Sequence, residues 1–141
     1  MSSPEEAKNI LRRLFDEVLT QDKLDMIDEI YREDYEFDAP ALSANAGPTQ
    51  TGREAFKGRV KAFRAAFPDM QYNIQEIVSD GEIIATKFSM SGHHKGPFAG
   101  FQPTGRHSTV TGVHYTYVVD GQIKKTWAGF TNIAEALAPN P

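Results

Sequence analysis

Residues Gly92–Trp127 read GHHKGPFAGFQPTGRHSTVTGVHYTYVVDGQIKKTW, and the reading of this stretch decides the architecture. It opens as the end of a strand and passes through a glycine- and proline-rich loop. It then becomes a long alternating strand, a two-residue turn and a last strand with the only tryptophan. Asp120-Gly121 supplies the positive backbone angles that a tight hairpin needs. Alternation along Ser108–Val119 puts Val110, Gly112, His114, Thr116 and Val118 on one face, and Thr109, Thr111, Val113, Tyr115, Tyr117 and Val119 on the other. A two-residue turn then predicts His114 opposite Trp127 and Thr116 opposite Lys125. That register gathers an imidazole, an ammonium group and an indole on one patch.

Each of these residues has two readings. His114 is a buried, hydrogen-bonded structural imidazole or a proton-transfer group facing a hollow. Lys125 is an outward lysine that deters edge pairing or a cation that stabilises an enolate oxygen. Trp127 is core or pocket wall. His93 and His94 are adjacent on an extended segment and so point to opposite sides. With no HExxH and no cysteine, no metal site is expected, and His94 is read as a loop histidine on the rim, meeting substrate or solvent. Asp38, at the end of a short strand, is either a turn residue or the carboxylate placed to enter a hollow.

Working outward, Ser3, Pro4 and Glu6 form a helix start, followed by Ala7, Ile10, Leu11, Leu14, Phe15 and Val18 at helical spacing. A shorter helix is expected over Lys23–Ile30, a strand over Tyr35–Asp38 stopped by Pro40, and a loop over Ala41–Thr51. A third helix, Arg53–Phe67, carries Phe56, Val60, Phe63 and Phe67 as one stripe that packs on a sheet or covers a cavity. Its basic residues Arg53, Lys57, Arg59, Lys61 and Arg64 read as a solvated face. Met70, Tyr72 and Ile74 begin a strand whose phase shifts at Glu76–Val78. Asp80-Gly81 is a second tight turn, and Glu82–Ser91 returns with Ile84, Thr86, Phe88 and Met90 on one side. Helices segregated from such strands make an α+β domain: three helices over a strongly curved, mostly antiparallel sheet, with a hollow between the layers.

The chain's 141 residues and 40% hydrophobic content suit one domain spanning 1–141. A net charge of −4 argues against a nucleic-acid partner, and short apolar runs argue against a membrane. The absence of cysteine and of a signal-like N-terminus makes a cytoplasmic protein the expectation. No phosphate loop, dinucleotide fingerprint or nucleophile elbow is present.

Phe67-Pro68-Asp69, Asp80-Gly81, Gly92-His93-His94-Lys95-Gly96, Gly100 to Arg106, Val110-Thr111-Gly112 and Asp120-Gly121-Gln122-Ile123 with Trp127 follow one another in an order that resembles the SnoaL-like polyketide cyclase family of the nuclear transport factor 2-like superfamily. The resemblance runs from about Gly52 to Trp127. It implies a cone-shaped barrel with a mostly apolar cavity, often in a homodimer or higher homo-oligomer. It also implies ring closure by an aldol step without metal or cofactor, with an aspartate and a histidine as acid-base groups. His114 matches the cavity position on the long strand, His94 the loop histidine, Asp38 the polar position after the first strand, and Trp127 the tryptophan. Relatives usually carry a carboxylate just after that tryptophan and a Glu-His pair before it, where this chain has Ala128, Thr131 and Lys125-Thr126.

The expectation is a cyclase- or isomerase-type enzyme using His114, Asp38 and Lys125 on a hydrophobic, oxygenated small molecule held by Trp127, His94, Phe63, Phe67, Tyr72 and Thr131. A non-catalytic binding or dimerisation module of the same fold is the alternative. Epoxide or ester hydrolysis, with Asp38 activating water, is a further one.

Overall fold

The structure, a computed structural model, describes residues 3–39, 50–80 and 82–137. Helix α1 (Pro4–Arg13) starts as its sequence dictates: the Ser3 hydroxyl accepts from the Glu6 amide at 3.1 Å, and Pro4 occupies the first turn. The helix then widens into a π-type segment, Leu14–Thr20. This wider winding turns two adjacent pairs, Leu14-Phe15 and Val18-Leu19, toward the core together. A 3₁₀ turn at Leu24–Met26 leads into the short α2 (Ile27–Ile30) and directly into β1 (Tyr31–Asp38). After β2 (Gln50–Thr51) come α3 (Arg53–Ala66), β3 (Gln71–Ser79), β4 (Ile83–His93), β5 (His107–Val119), β6 (Gln122–Phe130) and α4 (Ile133–Leu137).

The strands form one sheet in the order β2-β1-β6-β5-β4-β3, antiparallel except for the parallel β1–β6 pair. The expected α+β class is therefore the observed one. Helix α1 and its widened end lie against β3, and α3 lies against β1 and β2. The face under these helices, called inner below, buries Ile84, Phe88, Met90, Val110, Val118 and Ile123 with Phe15, Phe56 and Val60. Burial of so many large side chains on one face is what holds the layers together. Among the described residues no helix is long and apolar enough to cross a membrane.

Two boundaries differ from the sequence reading. Strand β1 starts at Tyr31 rather than Tyr35, because the Tyr31 and Tyr35 rings both pack on Phe56 while Glu33 and Asp34 stay in solvent. Burial of two aromatic rings outweighs the poor strand preference of the acidic pair. Gln50 and Thr51, expected in a loop, pair with β1; the rest of that loop, residues 40–49, lies outside the described residues, as do Gly81 of the first Asp-Gly turn and the tail 138–141. The phase shift in β3 is present as a register slip between Ile74 and Glu76. The second turn has Asp120 at φ 52° and Gly121 at φ 78°, both left-handed.

The β5–β6 register departs from expectation in a way that governs the site. Next to the turn, Val119 pairs with Gln122 and Val118 with Ile123, as a two-residue hairpin requires. Then Lys124 is passed over as a bulge, and Tyr117 pairs with Lys125, Tyr115 with Trp127 and His114 with Ala128. One extra residue inverts the facing of everything beyond it. Thr126 and Ala128 turn inward, and Lys125 and Trp127 turn out.

Candidate functional site

His114 stands on the inner face of β5, 7% exposed, between the rings of Phe15 at 5.2 Å and Phe88 at 4.7 Å. Its Nδ1 is buried without a hydrogen-bond partner. Desolvation alone pushes its pKa down to about 3. The imidazole is thus neutral at physiological pH, with one nitrogen able to donate and the other to accept.

Its neighbours on the inner face are hydroxyls. Register places Thr86 directly beside His114 on β4, and one row away Ile84, Thr116, Thr126 and Phe37 follow one another across four strands. Thr86, Thr116 and Thr126 are all buried, and none of their hydroxyls has a partner. The buried phenols of Tyr31 and Tyr35 are likewise unpartnered, their rings 4.4 Å apart. Burial raises the pKa of Tyr31 well above its usual value, helped by the Tyr35 and Tyr72 phenols. Burial also raises that of Tyr35, against the opposing influence of the Thr126 hydroxyl and the Arg59 charge. Tyr35 and Thr126 come near each other without reaching hydrogen-bond geometry. Phenols so shifted stay protonated and remain donors.

A buried polar atom without a partner costs roughly 1–3 kcal/mol. Six such residues on one inner surface (Tyr31, Tyr35, Thr86, His114, Thr116 and Thr126) form a cluster that a polar ligand would satisfy. Phe15, Phe88 and Tyr72 supply the flat walls: Tyr72 stacks on Phe15 at 5.6 Å and on Phe88 at 5.7 Å. Chemically, the patch offers a neutral imidazole and several neutral donors to an oxygen on which negative charge develops.

The structure brings only part of the expected set together. Tyr72 shares Phe15 and Phe88 with His114. His94, read as a rim residue, is instead fully buried, stacked on Phe67 at 5.2 Å with both ring nitrogens unpartnered. Burial lowers its pKa against the opposing influence of the Gly96 backbone, and the Arg106 charge adds to the lowering. The reason for its burial is that the loop after β4 is pinned to the end of α3 by the Lys95 and Gly96 amides, both donating to the Ala66 carbonyl. His94 is on the inner face but eight residues beyond Thr86, roughly 25 Å along the strand. It therefore marks a second end of the interior, with Phe67, Phe98 and Phe63 around it.

Lys125, Trp127, Asp38 and Thr131 are on the other side of the sheet. Trp127 is 40% exposed and folds over Gly129, where an added Cβ would meet the indole at 2.5 Å. Asp38 pairs with Trp127 and is half-buried, opposite in facing to the buried Phe37. The exposed Thr131 shares a hydrogen bond with the Thr111 hydroxyl. Among the described residues no carboxylate faces inward. The expected trio of His114, Asp38 and Lys125 is thus divided by the sheet itself, for the bulge at Lys124 and the parity of β1 put two of its members outside.

Sequence reasoning passed over Thr126, Tyr31, Tyr35 and Arg59. Strand parity had already set Thr86 and Thr116 on their faces, but Thr126 depends on the bulge, Tyr35 was read on its strand without a role, and Tyr31 depends on a strand start that charged residues concealed.

These features define an α+β class of protein: helices over one six-stranded sheet whose shielded face carries buried polar groups without partners. The SnoaL-like polyketide cyclase model matches residues 9–135, and the chain belongs to that family. A candidate SnoaL-like polyketide cyclase from Jannaschia sp. CCS1 superposes with a TM-score of 0.83 at 20% identity, covering 98% of this chain and 95% of its own. IdmH from Streptomyces antibioticus, a candidate polyketide cyclase, is 28% identical with a TM-score of 0.76, over 89% of this chain and 92% of its own. A candidate ketosteroid isomerase from Kribbella flavida DSM 17836 has a TM-score of 0.71 at 19% identity, covering all 100% of this chain and 87% of its own. The likenesses at 20% and 19% speak to the fold. No curated protein matches the chain.

Proposed function

We propose that the chain is a cofactor-independent cyclase or isomerase that moves a proton at a carbon beside a carbonyl of an apolar, oxygenated substrate. The observation that carries this reading is His114, buried on the inner face among hydroxyls that lack partners. Neutral His114 accepts the proton; Thr86, Thr116 and the buried phenols donate to the enolate oxygen. An imidazole held at about 3 is by itself a weak base. An enolate forming beside it in a low-dielectric setting favours the imidazolium and strengthens the base as the reaction proceeds. The aldol closure of a ring and the shift of a double bond both begin with this step.

The non-catalytic binder is the second reading, favoured by the lack of an inward carboxylate among the described residues. Hydrolysis of an epoxide or ester has less support, because Asp38, its water-activating group, is on the outer side. A second copy of the chain is the proposed partner, docking on the outer face where Val78, Tyr115, Tyr117, Val119 and Trp127 are exposed.

The test is deuterium exchange at the carbons beside the carbonyl of 2-tetralone, followed by NMR. The wild-type protein is expected to accelerate exchange, and His114→Leu to reduce it at least 100-fold, in the range of a lost general base. Undiminished exchange in His114→Leu removes the enzyme reading. Binding without exchange in the wild type selects the binder.

A further inference from the structure

Helix α3 carries five basic side chains, and four of them are accounted for. Arg53 donates to the Tyr31 carbonyl at 2.8 Å, Lys57 bridges Asp28 and Glu54, Arg64 donates to the Leu19 and Thr20 carbonyls and faces Asp22, and Lys61 is exposed. Arg59 behaves differently. Its guanidinium carbon is 5.1 Å from the centre of the Phe37 ring, over a side chain that belongs to the inner face. Its Nε is buried with no hydrogen-bond partner, as is that of Arg64, but Arg64 has Asp22 and two carbonyls beside it whereas no ion pair of Arg59 with a carboxylate is found among the described residues. The polar groups nearest in charge and register are the Tyr35 phenol and, beside Phe37 on β6, the Thr126 hydroxyl; both are buried and unpartnered.

Arg59 is half-buried, and a guanidinium does not shed its proton, so it cannot relieve the desolvation of its Nε by becoming neutral. Stacking on Phe37 compensates in part. What the arrangement lacks is a negatively charged acceptor: the guanidinium can only donate, and the two neighbouring hydroxyls, which can donate or accept, carry no charge to balance it. From this we infer that Arg59, with Tyr35 and Thr126, is an anion-anchoring subsite of the interior, and that the ligand carries a carboxylate or an equivalent oxyanion distant from its reacting carbonyl. The inference rests on the interior reading above and names the substrate class more narrowly.

Geometry limits the size of the ligand. Phe37, Thr126 and Thr116 are neighbours on successive strands, and His114 is one row further along β5. Two strand spacings and two residues of rise separate Phe37 from His114 by roughly 12 Å across the sheet. A rigid fused-ring molecule with its anion at one end and its ketone at the other fits that span. The planar fork of arginine suits a carboxylate better than a point charge would.

The test uses two probes that differ only in charge, 6-acetyl-2-naphthoate and 6-acetyl-2-naphthamide, titrated by calorimetry while the His114 ring resonances are followed by NMR. The carboxylate is expected to bind the wild-type protein at least tenfold more tightly than the amide, both shifting His114. Arg59→Met removes that preference and changes amide affinity less than twofold. Arg59→Lys restores part of it, and Lys61→Met, the same charge change on the exposed side of α3, changes neither affinity. Equal binding of the two probes to the wild type, or equal weakening of both by Arg59→Met, overturns the anion subsite and leaves the interior reading standing, since the amide still reports on His114. If neither probe shifts His114, the interior reading falls and this inference with it.

Discussion

The two faces of the β5–β6 hairpin are built from the same strands and differ in almost every respect. Inside, His114, Thr116, Thr126 and Ala128 are buried, and three of the four carry polar atoms with no partner. Outside, Tyr115, Tyr117 and Trp127 are 45%, 39% and 40% exposed, and Lys125 and Asp38 lie with them. The hydrophobic effect alone would place the large aromatics inside and the threonines outside. The inversion means that this interior is not optimised for stability. Unpartnered hydroxyls beside an uncharged imidazole are a standing cost, and in native proteins such costs concentrate where a ligand or a reaction compensates them.

The strongest way to break this contrast is to lengthen β6 by one residue at the bulge. Inserting one alanine between Lys124 and Lys125 moves every later residue of β6 on by one pairing position, which would set Trp127 inward against His114 and carry Lys125 in with it. The expected result is a loss of about 4 kcal/mol or more, read as a collapsed urea midpoint or as failure to fold. An insertion variant that folds with Trp127 fluorescence still solvent-exposed would show that the bulge absorbs the extra residue and that β5 and β6 hold their facing regardless.

Acidity probes the inner face more gently. His114 is depressed to about 3 by burial, so between its ordinary value near 6.5 and 3 the unfolded chain takes up a proton that the folded chain refuses. Stability is therefore full above about pH 6.5 and falls as pH drops below it; from pH 7.5 to pH 5 the loss is about 2 kcal/mol. Buried His94 shifts the same way and adds to the slope. Urea melts at the two pH values measure the effect, and His114→Leu is expected to flatten the curve by its own share. A curve as steep in that variant as in the wild type would place the titrating group elsewhere.

The outer face should respond least. Tyr115→Ser and Trp127→Ser are expected to change monomer stability by about 1 kcal/mol or less. They are expected to leave tetralone exchange within twofold of wild type while shifting sedimentation toward the monomer. A tenfold loss of exchange in either variant would join the two faces functionally.

Much of the fold was legible because it rests on local rules. Ser3 and Pro4 mark the first helix, the phenylalanines of α3 mark its buried stripe, Asp120-Gly121 marks the last turn, and period-two alternation sorts β4 and β5 correctly. The candidate site was legible only where parity along a single strand decided it, as for His114, Thr86 and Thr116. Wherever a residue's facing depended on its pairing with another strand, the reading fell short: the two-residue register set Trp127 opposite His114, Lys125 stayed open between an outward lysine and a site cation, and Thr126 was overlooked. Arg59 was indistinguishable from its basic neighbours, since helical spacing says which side a residue flanks and not what waits there to receive its charge.

By itself the sequence therefore determined the family, the α+β class and the one histidine on the shielded side of the long strand. These follow from side-chain periodicity, turn chemistry and motif order, all properties of contiguous residues. Tertiary structure alone decided which residues keep that histidine company. A single unpaired residue at Lys124 re-aims half of β6, and the parallel pairing of β1 brings Phe37, Tyr35 and Arg59 alongside. Facing across a sheet depends on register summed over several strands, and each bulge shifts that sum by one.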